Sequence, residues 1–101
     1  MPALPDTLCY LTGAYTPLNE AKVSVMDRGF IFGDGIYEVV PVYGRRLFRF
    51  DAHLARLERS LAKMRIANPF TRAQWLERVR PLVAAVFDKT AALDQLVYIQ
   101  I

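Results

Sequence analysis

The sequence predicts an α+β fold, a small antiparallel β-sheet packed with two helices, on three observations. Strand-like runs occupy residues 8–12, 15–17 and 36–43. Apolar residues then recur at three- and four-residue spacing, first from Leu54 to Met64 and again from Trp75 to Phe87, which is the signature of two buried helical stripes. A further strand-like run, residues 96–101, follows both helices. With 101 residues the chain makes one domain at most, burying roughly two thirds of its unfolded surface around a modest core.

Residues 1–7, with Pro2, Pro5 and Asp6, read as a loose arm. Residues 8–12 alternate partly as a strand, Gly13 and Ala14 turn the chain, and a return strand begins at residues 15–17. Asn19-Glu20-Ala21 is a connection, and residues 22–25 are a short extended run. Residues 36–43 form the strongest strand. Within it Pro41, which has no N–H for a ladder, points to an edge position or a bulge. Gly44-Arg45 closes a hairpin into residues 46–50, where Leu47, Phe48 and Phe50 follow no single alternation.

Asp51 is the expected N-cap of the next helix, because its carboxylate can accept from free backbone N–H groups. Leu54, Leu57, Leu61 and Met64 form the buried stripe behind it, and Asn68-Pro69 ends the unit. Thr71-Arg72-Ala73-Gln74 fits a capping box for the second helix. Its apolar face is Trp75, Leu76, Val79, Leu82, Val83, Val86 and Phe87. Pro81 falls inside it. An interior proline costs about 3 kcal/mol, so the helix is either bent there or two shorter helices abut. The chain stops within its final apolar strand, which points to a piece of a longer protein.

Composition excludes several function classes. A charged fraction of 23% against 53% hydrophobic residues is that of a globular chain rather than a disordered one. Net charge is +3 with no block of positive charge, which argues against nucleic acid as a partner. Cys9 is the only cysteine and His53 the only histidine, so neither an intrachain disulfide nor a metal cluster is expected. Cys9 lies in an apolar strand away from basic residues, where a reactive thiolate does not form readily. No apolar run approaches the ~20 residues of a membrane span. Residues 1–6 lack the basic start and apolar core of a signal peptide, so a cytoplasmic location is expected.

The segment from Val23 to Val40 carries the functional information. Gly29, Gly33 and Gly35 suit positions where φ is positive or another backbone approaches closely. Tyr37 follows at the start of the strong strand. Spacing alone favours an ordinary loop-to-strand junction with a core tyrosine over a phenol presented to a ligand.

Two blocks decide between these readings. Asp27-Arg28-Gly29-Phe30 through Gly33-Asp34-Gly35-Ile36-Tyr37-Glu38-Val39-Val40-Pro41-Val42-Tyr43 resembles the N-terminal part of the fold-type IV pyridoxal-phosphate enzymes, most closely the D-amino-acid aminotransferases. Phe48-Arg49-Phe50-Asp51-Ala52-His53-Leu54-Ala55-Arg56-Leu57-Glu58-Arg59-Ser60-Leu61 resembles the helix on which that family carries a phosphate-binding arginine. Weaker agreement extends from Cys9 to Ile101.

The resemblance implies that residues 1–101 are the N-terminal small domain of such an enzyme, its larger C-terminal domain absent from this chain. It implies pyridoxal 5'-phosphate as cofactor, D-amino acids and 2-oxo acids as substrates, and a homodimer as the assembly. Arg56 matches the cofactor-phosphate arginine, although on spacing alone it falls on a solvated face with Arg59 and Lys63. A guanidinium suits a phosphate because its planar donor fork can make two charge-assisted bonds. Tyr37 matches a tyrosine that helps hold the substrate carboxylate, and Val39 shares its face of the strand and lines the pocket. Glu38 points to the opposite face and carries no catalytic role. Asp27, Arg28 and Asp34 tie the glycine loop together, and His53 is structural.

The family's catalytic lysine, needed because a deprotonated amine condenses with the cofactor aldehyde, falls beyond the final strand. Lys22, Lys63 and Lys89 do not match it, so no catalytic residue is expected in this chain and the chain alone should be inactive. Alternatives within the class are an aminodeoxychorismate lyase and a branched-chain aminotransferase; the run Tyr37 to Tyr43 favours the D-amino-acid branch. Outside it stands a non-catalytic anion- or partner-binding domain. The missing lysine supports that reading, and the unfinished edge strand argues against it.

Overall fold

The computed structural model describes residues 5–101, so the expectations for the first four residues lie outside it. Strands β1 (Leu8–Leu11) and β2 (Ala14–Pro17) form an antiparallel hairpin in which Leu11 faces Ala14. Its two-residue turn is Thr12-Gly13, with φ of 50° and 90°. A turn this tight between twisted strands needs positive φ at both positions, so it sits one residue earlier than Gly13-Ala14. A 3-10 turn at Leu18–Glu20 follows. Residues 22–25, the expected extended run, join no described sheet, and Val25 enters a turn. Val23 and Val25 are exposed, and no described strand pairs with them.

The three-stranded sheet has the order β4-β3-β5, all antiparallel, with β3 at Tyr37–Tyr43, β4 at Arg46–Leu47 and β5 at Gln95–Gln100. Gly44 and Arg45 turn β3 into β4 with φ of 55° and 67°. The strong strand is therefore central rather than an edge. Pro41 is tolerated there because β4 pairs only Val42 and Tyr43. The Pro41 carbonyl accepts from Phe48 N (2.8 Å), so its missing N–H also faces this side and forfeits only the return bond at the end of the ladder.

Helices α2 (Phe50–Met64) and α3 (Arg72–Thr90) cover one face of this sheet. Val40, Val42, Val97 and Ile99 point into them and meet Leu54, Leu57, Leu61, Trp75, Val79 and Val83. The N-cap of α2 is Arg49 (φ 52°), not Asp51. The Arg49 carbonyl accepts from His53 N at 3.1 Å, which starts the helix at Phe50 and buries that ring. Asp51 falls in the first turn, where a negative charge suits the helix dipole, and pairs with Arg72 at the start of α3.

Met64 is exposed, against expectation. The helix closes at Arg65 in the left-handed conformation, with Arg65 N bonding Ala62 O (3.1 Å) and Ile66 N bonding Leu61 O (3.0 Å). This closure swings Ile66 onto the core in the place the spacing assigned to Met64. The capping box of α3 forms as expected, Thr71 N donating to Gln74 Oε1 (3.0 Å) and Gln74 N to Thr71 Oγ1 (3.3 Å). The helix runs unbroken through Pro81, which is exposed, so water can serve the carbonyl its ring leaves free.

The β1–β2 hairpin forms a second, separate sheet, seated on α3. Tyr15 donates its hydroxyl to the Arg78 carbonyl at 2.8 Å, and the Arg78 guanidinium lies 3.9 Å over the Phe70 ring. Both helices lie on one face, leaving the other face of the three-stranded sheet open.

Candidate functional site

The glycine segment, expected as a loop, is built from a single helical turn, α1 (Arg28–Phe32). Asp27 caps it by accepting from Gly29 N at 2.8 Å, and Gly33 ends it with φ of 69°. Arg28 Nη2 reaches across the turn to Asp34 at 2.8 Å. Asp27, Arg28 and Asp34 therefore bind the loop to itself. Gly35 then passes close to the end of β5, where Ile36 and Ile101 exchange both backbone hydrogen bonds at 3.0 Å.

Tyr37 leaves this anchor as the first residue of β3, 67% exposed on the open face. Its ring stacks on Tyr98 (centroids 5.8 Å apart, planes at 19°), and Tyr98 donates its hydroxyl to Gln100 Oε1 at 2.7 Å. Register places Gln100 opposite Tyr37 and Tyr98 opposite Val39, so all four share one face. Beside them Gly29, Gly33, Gly35, Ile36, Tyr37 and Gln100 line an open hollow of about 210 Å³. Of Tyr37, Val39 and Arg56, expected to bind substrate or cofactor, Tyr37 alone lines it, together with the three glycines of the segment. Ligand clefts commonly enclose roughly 300–1,000 Å³, so the hollow is smaller than an enclosed cleft and open to solvent.

Glu38 points the other way and is 4% exposed. A carboxylate so buried needs partners, and α2 brings two of them, spaced three residues apart on one face. His53 Nδ1 lies 2.7 Å from Glu38 Oε1, Arg56 Nε donates to both carboxylate oxygens at 3.1 and 3.2 Å, and Arg56 Nη2 donates to Oε1. Arg56 Nη1 has no partner among the described residues, and the side chain is 61% exposed. The structure thus separates Tyr37 and Val39 from Arg56 across the thickness of β3 and ties Arg56 down through Glu38. Sequence reasoning passed over Glu38. The signal was a charged residue at an inward position of the strand, matched by His53 and Arg56 on the helix behind it.

The Arg56 donors hold the Glu38 carboxyl below its ordinary range against the opposing effect of burial, with His53 adding to the shift. Glu38 in turn raises the Arg56 guanidinium above its already high value. A carboxyl lowered in the native state stabilises the fold fully above its unfolded pKa, and that stability is lost as pH falls through the lowered native value. Acid titration of the unfolding free energy is therefore expected to show a loss on the acid side that Glu38→Gln removes. A Gln variant with the wild-type acid dependence would contradict this. Asp6 is lowered too, by Lys89, but it is exposed and solvent screens the pair.

No lysine lines the hollow: Lys89 is paired with Asp6, and Lys22 and Lys63 are placed elsewhere. Among the described residues there is no cluster able to hold a metal ion, and no helix is long and apolar enough to cross a membrane.

The architecture is that of the fold IV transaminases. It superposes on one from Curtobacterium pusillum with a TM-score of 0.76 at 24% identity, covering 84% of this chain and 29% of that one. It also matches a T.th. branched-chain amino acid aminotransferase complexed with N-(5'-phosphopyridoxyl)-L-glutamate, with a TM-score of 0.73 at 22% identity over 96% of this chain and 33% of that one. These likenesses establish the fold. Residues 35–99 match the family described as amino-transferase class IV, and the chain belongs to that family. Among curated relatives it is 38% identical over 77 residues to the D-alanine aminotransferase of Staphylococcus haemolyticus, covering 76% of this chain and 27% of the relative. It is 42% identical over 65 residues to that of Bacillus licheniformis, covering 64% and 23%. The chain spans about a quarter of the length of these relatives.

Proposed function

We propose that the polypeptide carrying this sequence is a pyridoxal-phosphate-dependent transaminase exchanging the amino group between D-amino acids and 2-oxo acids. In this reading residues 1–101 are its small N-terminal domain, and a larger C-terminal domain supplies the catalytic lysine and the other wall of the hollow. It works as a homodimer in the cytoplasm, with neither nucleic acid nor membrane as a partner, and residues 1–101 alone are inactive.

The observation that carries the reading is Arg56. Its guanidinium is anchored by a buried carboxylate yet keeps Nη1 without a described partner on a mostly exposed side chain, which fits a phosphate oxygen. Arg56 would hold the cofactor phosphate. The ring, when bound, would supply an electron sink for proton transfer at the substrate α-carbon. Tyr37 would donate its phenol to the substrate carboxylate from the rigid start of β3, and Val39 would line the same face. Sequence likeness to D-alanine aminotransferases at 38% and 42% identity supports the D-amino-acid branch over the branched-chain one.

The test is turnover by the full-length polypeptide supplied with pyridoxal 5'-phosphate, D-alanine and a 2-oxo acid, read as pyruvate formed. Turnover of branched-chain L-amino acids in place of D-alanine would reassign the substrate; turnover of neither would overturn the reading. Tyr37→Phe is expected to raise KM for the amino acid several-fold with little change in kcat. An unchanged KM would return Tyr37 to a packing role against Tyr98.

A further inference from the structure

Glu38 is the one charged side chain buried in the described core, and neither packing nor the proposed reaction uses it directly. An apolar residue at this inward position would join Val40 and Val42 on the core-facing side of β3. Every buried side-chain polar atom among the described residues has a hydrogen-bond partner, so the Glu38 network is complete. Half of that network is a guanidinium that is itself mostly exposed. The arrangement orients Arg56, because two of its nitrogens are spent on a fixed carboxylate and the remaining one is left free.

We propose that Glu38 is a positioning residue for anion binding: it fixes the Arg56 guanidinium from behind, so that Nη1 meets a phosphate monoester with its geometry already set. This rests on Arg56 being the phosphate ligand of the proposed function. Two effects compete. The carboxylate offsets part of the positive charge that draws an anion, but it also removes in advance the rotamer freedom of a long side chain. Glu38 lies on the inner side of β3 with Arg56 between it and solvent, so its repulsion on an incoming anion acts through the guanidinium while the orientation is transmitted whole. Positioning wins. His53, 2.7 Å from the same oxygen, keeps the carboxylate from rotating away.

The full-length polypeptide is titrated with pyridoxal 5'-phosphate and with pyridoxal, which lacks the phosphate. The ratio of the two dissociation constants reads the phosphate contribution free of any general loosening of the fold. Arg56→Ala is expected to collapse this ratio. Glu38→Gln, which keeps the shape and removes the charge, should lower it about ten-fold by weakening only the phosphorylated ligand, by analogy with the supporting groups that orient metal ligands. In the Arg56→Ala background, Glu38→Gln should change the ratio no further.

An unaltered ratio in Arg56→Ala would remove Arg56 from the phosphate site and take the inference with it. A reduced ratio in Arg56→Ala with a wild-type or higher ratio in Glu38→Gln would overturn the positioning role alone. Should Glu38→Gln fail to fold, Arg56→Lys decides. It keeps the charge but cannot make the two-nitrogen contact, so the ratio should fall about ten-fold or more. A wild-type ratio in that variant would show that the held fork is irrelevant.

Discussion

Leu57→Ala is expected to destabilise the domain by about 2–5 kcal/mol, the range for emptying a packed leucine site. Leu57 has no exposed surface and stands in the middle of the α2 stripe, between Leu54 and Leu61 and beneath the inward residues of β3. A domain of this size commonly has only about 5–15 kcal/mol of net stability, so one such change removes a large fraction of it. Chemical denaturation of the two proteins measures the difference. Met64→Ala is the internal control: the same helix and an apolar side chain, but an exposed one, with an expected change within about 0.5 kcal/mol. Equal losses at both positions would mean that α2 does not present the face described here.

That pair of leucine and methionine also shows what periodicity can and cannot tell. The stripe at Leu54, Leu57 and Leu61 was legible because burial on a helix repeats with the turn, and nothing interrupts it over those residues. It failed at Met64 because the helix stops by a left-handed closure at Arg65, a non-glycine residue carrying no local signal of a cap. The capping box at Thr71 and Gln74 was legible for the opposite reason, since the two side chains that make it are written in the sequence. Asp51 looked like a cap and is not one. Burial of Phe50 starts the helix earlier, and tertiary packing outweighs the roughly 1 kcal/mol that a cap contributes.

The candidate site divides in the same way. Tyr37 and Val39 were placed on one face because strand alternation is strict. Glu38 was placed on the opposite face and its meaning missed, because pairing it with His53 and Arg56 needs the distance between β3 and α2, which no local pattern contains. Hairpin turns were legible only roughly. Thr12 and Arg45 adopt positive φ together with Gly13 and Gly44, and the two non-glycine residues carry no signal for it.

Gly35→Ala is expected to cost about 1–3 kcal/mol and to damage the hollow as well, the largest combined effect of any glycine here. The glycines of the segment look alike in sequence and serve different physical needs. Gly33 needs its left-handed φ of 69° and has open space where a side chain would go. Gly35 has no such φ; a Cβ there would lie 2.9 Å from the Ile101 carbonyl oxygen. That oxygen is backbone and accepts from Ile36 N at 3.0 Å, so it cannot move aside without opening the Ile36–Ile101 pair.

Asparagine separates the two cases, because it tolerates the left-handed conformation but brings the same Cβ. Gly33→Asn should unfold close to wild type, and Gly35→Asn should be as damaging as Gly35→Ala. Amide exchange at Ile36 and Ile101 should rise in both Gly35 variants and stay unchanged in Gly33→Asn. Because that pair holds Tyr37 opposite Gln100, the Gly35 variants should also raise KM in the full-length polypeptide, with a loss of stability that Tyr37→Phe does not share. A Gly35→Ala protein with wild-type exchange at both amides would show that the end of β5 yields to the methyl group, and Tyr37 would then owe its placement to the stacking with Tyr98 alone.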